Sequence, residues 1–554
     1  MRRAGLVAAL GALAALGLLG AGDGVRVLDA FEDLSVWRAA PADGVALTLS
    51  AASRASGRAL AMDFDFGGRG GYAAARRPIE VTFPENYEIA FDVRGRGSSN
   101  VLEIKFVDAS GDNVWWIRRP DFTPPTEWTR LSFKRRHVRF AWGPLGQQEG
   151  GAPPLTRAAF LELVVAAAEG GAGRLEIDDL TLTALAPERP YTGPPSASAG
   201  ASAPGHEATR ALDGRAETAW RSGPAPHTRL DIDFGERREL GGLSLLWEPG
   251  RRARRFELRG SRDGKEWTRL STISAGGGLR DELFLPETDV RFLRLDLQEP
   301  EGAQGFGLAE IEVRPLSAGE SVNAFFLEAA KAAPRGAYPR GFSGEQVYWT
   351  VAGVDGDAEE VLVSEDGALE PGERSFSIEP FLWSEGKLWS WADVTSSQSL
   401  AEGHLPIPSV SWAGAPLTLE VTVVVEGAPG VATARARYRV TNASDRRRTG
   451  RLFLAVRPFL VNPPTQFLNV GGGAVAIRTI AGSPSSVDVD GRRTLRVETP
   501  AAAFGASPFE GGLLTEVLAQ GRVPGPTRVD DAFGYASGAL AWELDLPAGA
   551  GREI

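Results

Sequence analysis

A chain of 554 residues is too long for one hydrophobic core and implies about three to four domains. Its 43% hydrophobic and 24% charged content are those of a folded globular protein, and a net charge of −11 argues against a nucleic-acid partner. Cysteine is absent, which removes disulfides, thiolate zinc sites and cysteine nucleophiles together.

The N-terminus reads MRR, then AGLVAALGALAALGLLG, then AGDG: a positive start, an apolar stretch and a small-residue exit. This is the layout of a secretory signal peptide over residues 1–24 and predicts a secreted or periplasmic protein. The apolar run of about 17 residues sits at the lower edge of a bilayer span, so an uncleaved anchor is the alternative. No later segment is apolar enough to span.

Short alternating runs follow, among them YEIAFDV, VLEIKFV, GRLEIDDLTLTAL, TRLDIDF, RFLRLDL and LTLEVTVVV, separated by Gly, Pro, Asp and Asn. They predict an all-β chain of tandem β-sandwiches. TRAAFLELVVAAA near residue 160 and NAFFLEAAKAA near 328 are the two helical candidates. PERPYTGPPSASAGASAPG cannot bury a face, which sets a linker at 187–199 between folded regions at 25–186 and 200–315; a third runs over 316–554. The final AWELDLPAGAGREI stops at a strand and suggests that the chain continues.

NVWWIRRPDF places Trp115 and Trp116 side by side on a strand. Successive strand side chains point to opposite faces, so one packs inside and the other meets an outer face or a concave groove. Both are candidate ligand contacts, saccharide stacking against burial under a loop or neighbouring domain.

The middle region carries ALDGRAETAW, then DIDFGERRELGGLSLLW, FELRGSRDGKEWTRL, VRFLRLDL and GLAEIEV. In this order and spacing they resemble the discoidin, or coagulation factor V/VIII type C, domain across residues 200–315. The resemblance implies a jelly-roll sandwich with a structural calcium ion. Its side-chain ligands would be Asp213, Thr218 and Glu310, joined by backbone carbonyls of Ala211, Arg215 and Ala309. Calcium takes six to eight oxygen donors, which a turn closed on itself can offer; a metal-free Asx-turn is the alternative. Trp220 and Trp267 are expected in the core. Ligand would be met at one rim by Arg221, His227, Trp247, Glu248 and Phe306, with Phe306 in QGFGLAEI as the aromatic plate.

LDAFEDLSVW and GRLEIDDLTL, at the two ends of the first region, resemble galactose-binding-like carbohydrate-binding modules, in which first and last strands are neighbours. Glu32 and Asp33 would then approach Asp178 and Asp179, and a second calcium would relieve their repulsion; solvent-facing turn acids are the alternative.

PRGFSGEQVYWTVAGV, SEDGALEPGERSFSIEPFLW, HLPIPSVSW and RPFLVNPPTQFLNVGGG resemble the β-sandwich that precedes a helical-barrel catalytic domain in large bacterial glycoside-hydrolase-like proteins. The resemblance implies that catalytic carboxylates lie on the barrel, outside this sequence. Arg457, Asn462, Gln466 and Asn469 would line an edge that docks it. No triad pattern, G-x-S-x-G elbow, phosphate loop or dinucleotide fingerprint is present. The expectation is therefore an exported multi-module carbohydrate-binding protein whose partner is a polysaccharide or glycoconjugate. It would be the non-catalytic half of a glycan-active enzyme; the alternatives are a complete glycoside hydrolase or phosphorylase with a missing barrel, and an adhesion protein binding lipid or protein.

Overall fold

The computed structural model describes residues 24–554, apart from 56, 148–150, 186, 188–192, 275 and 467–470 and the side chains of 121 and 287. The leader expected over 1–24 lies, except for Gly24, outside the described residues, as does Asn469. Two compact units are formed, Met1–Pro190 and Tyr191–Ile554. No described helix is long and apolar enough to cross a membrane.

The first unit is a two-sheet antiparallel sandwich. Its strands are β1 (Val25–Asp29), β2 (Arg38–Ala39), β3 (Ala46–Arg54), β4 (Gly57–Asp65), β5 (Tyr72–Thr82), β6 (Tyr87–Arg96), β7 (Asn100–Val107), β8 (Val114–Phe122), β9 (Thr129–Lys134), β10 (Arg139–Trp142), β11 (Arg157–Ala166) and β12 (Ala172–Ala184). One sheet runs β3-β4-β12-β6-β9 with β1 on β12; the other runs β10-β8-β7-β11-β5-β2. The first and last strands are neighbours, as their motifs imply. Strand alternation fills the core: Leu102, Ile104 and Phe106 of β7 and Trp115 and Ile117 of β8 meet Met62, Phe64, Phe91 and Ile177 from the opposite sheet. Each such side chain contributes about 1.5–3 kcal/mol by leaving water.

The segment predicted helical near residue 160 is strand β11. It is hydrogen-bonded to β5 on one side and β7 on the other, and Leu161, Leu163 and Val165 point into the core. Ala, Leu and Glu favour helix intrinsically, but a central strand position outweighs propensities of less than about 1 kcal/mol per residue.

In the second unit the strands are β13 (Ser196–Ala199), β14 (Trp220–Gly223), β15 (His227–Trp247), β16 (Ala253–Ser261), β17 (Thr268–Ile273), β18 (Arg280–Pro300) and β19 (Phe306–Arg314). β13 pairs with Leu230–Asp233 of β15, so the end of the expected linker is a strand. β15 and β18 are 21 residues each and pass two register breaks, bending one ladder round a core of Trp220, Leu243, Phe256, Leu295 and Phe306.

Helix α1 (Val322–Ala332) forms as predicted, capped by Ser321, whose Oγ accepts from the Ala324 amide. It joins the middle region to the third. Phe325 lies 5.3 Å from Phe284 of β18 and 6.0 Å from Phe533. That shared apolar cluster is why two of the expected regions form one unit. Beyond it, a sheet containing Ser377–Ser384, Arg448–Arg457 and Ser537–Leu546 and a sheet containing Leu405–Ala413, Thr418–Glu426 and Thr433–Thr441 enclose Trp412, Val421, Val440 and Trp542.

In RPFLVNPPTQFLNVGGG, Arg457 ends a strand and the described residues 458–466 and 471–473 are anchored by buried side chains. Buried Glu370 accepts from the Val461 amide at 2.8 Å, and Asn323 bridges the Gly472 carbonyl and the Ala474 amide. Arg457, expected at a docking edge, is instead 3% exposed and paired with Glu379 at 3.0 Å; Asn462 is buried too, while Gln466 is exposed.

Candidate functional site

The turn after Ala211 brings the expected calcium ligands together. The Arg215 amide donates both to Asp213 Oδ1 at 3.1 Å and to Glu310 Oε2 at 3.2 Å, so the two carboxylates converge on one N–H. The Gly214 amide also donates to Glu310, at 2.9 Å, and Gly214 takes φ 73°, which suits a residue without Cβ. The Thr218 hydroxyl lies 2.8 Å from each Asp213 oxygen and 3.0 Å from the Arg215 carbonyl. Ala309 is the extra residue of a β19 bulge, where Leu246 pairs with Glu310 and Trp247 with Leu308. Ala211 is buried at the base of the turn. Burial raises the Glu310 carboxyl above its usual range, and the Asp213 charge adds to the rise against the amides that lower it. This donor set is all oxygen, spans two elements and carries two facing carboxylates, which fits a divalent hard cation.

The expected ligand rim is assembled only in part. Arg221 forms a fork on Glu248 at 2.7 and 2.8 Å, and these bonds hold the Glu248 carboxyl below its usual range. His206, which no local sequence signal marks, lies 3.0 Å from the Arg221 guanidinium. Gly307 leaves room for this pair, since a Cβ there would stand 2.4 Å from Glu248 Oε2 and displace that carboxylate. The aromatic half of the expected rim is corrected. Phe306 is 0% exposed in the core, and buried Trp247 donates its indole N–H to Asp281 at 2.6 Å. β14 and β19 pair through Phe306 and Gly223, so its ring turns inward. His227 stands exposed at the start of β15, opposite Gln298. Trp220 is core as expected; Trp267 is half-buried beneath the Arg294 guanidinium at 4.0 Å.

The first sandwich leaves three aromatics, Tyr72, Trp116 and Trp142, on the outer face of one sheet. Trp115 is core, which removes it as a ligand contact, and Trp116 faces outward on the sheet containing β7 and β8. Trp116 stands edge-on to Trp142 of β10, with centroids 5.5 Å apart at 89°. Trp142 is 47% exposed and Tyr72 of β5 is 44% exposed. The Lys105 ammonium lies 5.2 Å from the Trp142 centroid and 5.5 Å from the Tyr72 centroid, so both rings approach the same cation. Short outward residues beneath them, Ala74 and Val164, are buried and form the floor of a groove. Polar groups line it: Lys105 and Arg118 approach Glu103 at 3.1 and 3.3 Å, and Arg76 approaches Glu162 at 3.5 Å while covering the Phe160 ring at 4.2 Å.

The end of β10 is braced. Asn113 accepts from the Leu145 amide at 2.9 Å and donates to Asp108 at 2.8 Å, fixing the turn after Trp142. Tyr72 and Trp142 escape sequence reasoning because 70 positions separate them and their strands, β5 and β10, share a face only through the intervening β11, β7 and β8.

The second expected calcium loses its physical argument. Asp178 is paired with Arg54 at 2.8 Å, Asp179 with Arg130 at 2.9 Å, and Glu32 accepts from the Arg58 amide at 3.0 Å. Guanidinium groups balance Asp178 and Asp179, and Glu32 is held by a backbone amide. Among the described residues no cluster of three or more His, Asp or Glu has metal-holding geometry.

The middle region belongs to a recognisable class of domain: residues 196–311 match the F5/8 type C domain. Solved structures similar to parts of the chain include carbohydrate-binding modules. One is chitosan-binding module 2 of a chitosanase/glucanase from Paenibacillus sp. IK-5, in complex with chitotriose. It is 26% identical, covering 22% of this chain and 95% of that one at a TM-score of 0.21. A family 11 module from Clostridium thermocellum, in complex with a mixed-linked tetrasaccharide, is 19% identical over 29% of this chain and 95% of that one, at a TM-score of 0.24. A family 32 module from C. perfringens, in complex with galactose, is 16% identical over 22% and 92%, at 0.20. A search of curated proteins finds no match.

Proposed function

We propose that this is an exported saccharide-binding protein that meets its ligand in the groove on the first sandwich. One observation carries the reading: Tyr72 and Trp142, both close to half exposed, flank Lys105 above a floor of short side chains. Exposed rings supply the plate that the apolar face of a pyranose needs, and Glu103, Glu162, Arg76 and Arg118 supply donors and acceptors for hydroxyls. The N-terminal pattern of sequence supports export.

The F5/8 type C domain serves in this reading as a second recognition module. Asp213, Thr218 and Glu310, with the carbonyls of Ala211, Arg215 and Ala309, would hold a structural calcium ion. Bound there, the ion supplies a countercharge for the two carboxylates and ties the first loop of the domain to its last strand. The resemblance of the third region supports a place within a larger glycan-active protein, with the chemistry carried outside these residues. Gene sequence downstream of Ile554 tests that part: an in-frame helical continuation supports it, and an immediate stop codon ends it.

The function itself is tested by glycan-array binding of the full chain beside Trp142→Ala. Retention by a polysaccharide, weakened about tenfold in the variant at unchanged melting temperature, is expected. Binding to liposomes that sugars do not compete would instead favour an adhesion role.

A further inference from the structure

From a cavity within the second unit we infer a further binding site, for a small uncharged aromatic molecule that carries one hydroxyl. This site does not depend on the saccharide reading. It lies where β18 of the F5/8 type C domain meets helix α1 and the segments 457–459 and 507–514, and it holds about 750 Å³ of space, part of it open to solvent. Junctions between folded regions are where small ligands commonly bind. Glycines close this one tightly: a Cβ on Gly277 would stand 2.4 Å from the Gly511 carbonyl oxygen, and one on Gly512 would stand 2.7 Å from the Gly278 backbone. The Ser274 amide donates to Glu510 at 3.1 Å across the same seam.

One wall of the cavity is aromatic. Phe326 of α1 meets Phe459, Phe509 and Tyr535 edge-on, with centroids 5.2, 5.7 and 5.4 Å away, and all four rings line the space. Ala329 and Ala333, one helical turn apart, line it with short side chains that leave room for a ring. A planar ligand gains edge-to-face contacts there that an aliphatic one of the same size does not.

The opposite wall carries the polar anchor. Tyr338 lines the cavity and is 3% exposed. Its carbonyl accepts from the Trp391 indole, but among the described residues its hydroxyl has no hydrogen-bond partner. Burial pushes the ionisation of that hydroxyl up, and the Glu282 charge adds to the rise against Arg457 and Arg280, so the group stays protonated and able to donate. A buried hydroxyl left unpaired is costly, and a ligand hydroxyl beside it can pair in either direction. The charges around it are already matched: Arg280 meets Glu282 at 2.6 Å, and Arg457 meets Glu379 at 3.0 Å. An ionic ligand would lose its hydration and find no countercharge left over, which sets the uncharged class.

Isothermal titration calorimetry of the full chain with 4-methylphenol, toluene, 4-methylbenzoate and 4-methylbenzylamine tests the site. 4-Methylphenol should bind about tenfold more tightly than toluene, the margin of one hydrogen bond, and neither ion should match it. Tyr338→Phe keeps the ring and should bring 4-methylphenol down to the level of toluene, with toluene unchanged. Ala333→Phe fills the space and should abolish binding of both. If a variant fails to fold, the order of the four probes on the unaltered chain decides, together with the rise in melting temperature of the second unit with 4-methylphenol. Equal binding of 4-methylphenol and toluene overturns the hydroxyl assignment. Tighter binding of either ion overturns the uncharged class. Absence of binding by every probe, or binding that Ala333→Phe leaves unmoved, overturns the site.

Discussion

The groove of the first sandwich and the rim of the F5/8 type C domain use the same residue types in opposite states. In the groove, Tyr72 and Trp142 stand exposed beside charged groups that share partners. At the rim, Phe306 and Trp247 are packed into the core, and Arg221 closes its fork on Glu248. An aromatic in a glycine-flanked loop reads as a plate in sequence. Pairing of β14 with β19 makes it a wedge between strands instead. Trp142 lies at the end of a strand and its ring stays in solvent. In the proposed reading, an aromatic becomes available for recognition by where its strand ends, more than by lying in a polar loop.

Phe306→Ala separates the two surfaces most sharply. Removing a fully buried ring should cost about 3–5 kcal/mol and lower the melting temperature of the second unit, with glycan retention unchanged. Loss of retention at unchanged stability would restore Phe306 as a plate and invert the comparison.

Calcium should act only on the second unit. At about a hundredfold excess over its dissociation constant it should add about 2.7 kcal/mol, read as a higher melting temperature and lost in Glu310→Gln. The pH dependence has a definite sign. Because the folded Glu310 carboxyl is raised above its ordinary value, its contribution is fully present below the usual carboxyl range. It is lost as pH rises through the raised value, and calcium should restore it near neutral pH. A calcium shift that survives Glu310→Gln would contradict this donor set.

Trp142→Ala should weaken polysaccharide retention about tenfold, close to 1.4 kcal/mol, with little change in melting. The smallest effect belongs to Arg221→Lys. That pair is partly exposed, so its loss should cost less than about 1 kcal/mol by melting and leave retention unaltered. A large loss of binding there would return the recognition role to the rim.

Much of the fold was legible because strand alternation is a local signal. It set one of Trp115 and Trp116 inside and the other outside, and the resemblance carried by ALDGRAETAW and GLAEIEV implied that Asp213 meets Glu310. What escaped was non-local. β11 reads as a helix until β5 and β7 pair with both of its edges. Glu32 and Asp179 read as metal ligands until Arg58 and Arg130 arrive from other strands. Tyr72 and Trp142 gave no signal at all, since each is an unremarkable residue at a strand end until the sheet sets them across one groove.

Hydroxyl-radical footprinting of the full chain, with and without a saturating amount of the polysaccharide that the glycan array selects, tests the central claim most directly. Protection of Tyr72 and Trp142, with oxidation around Arg221 and Glu248 unchanged, is the predicted result. Protection confined to the rim of the F5/8 type C domain, with Tyr72 and Trp142 oxidised as before, would contradict it.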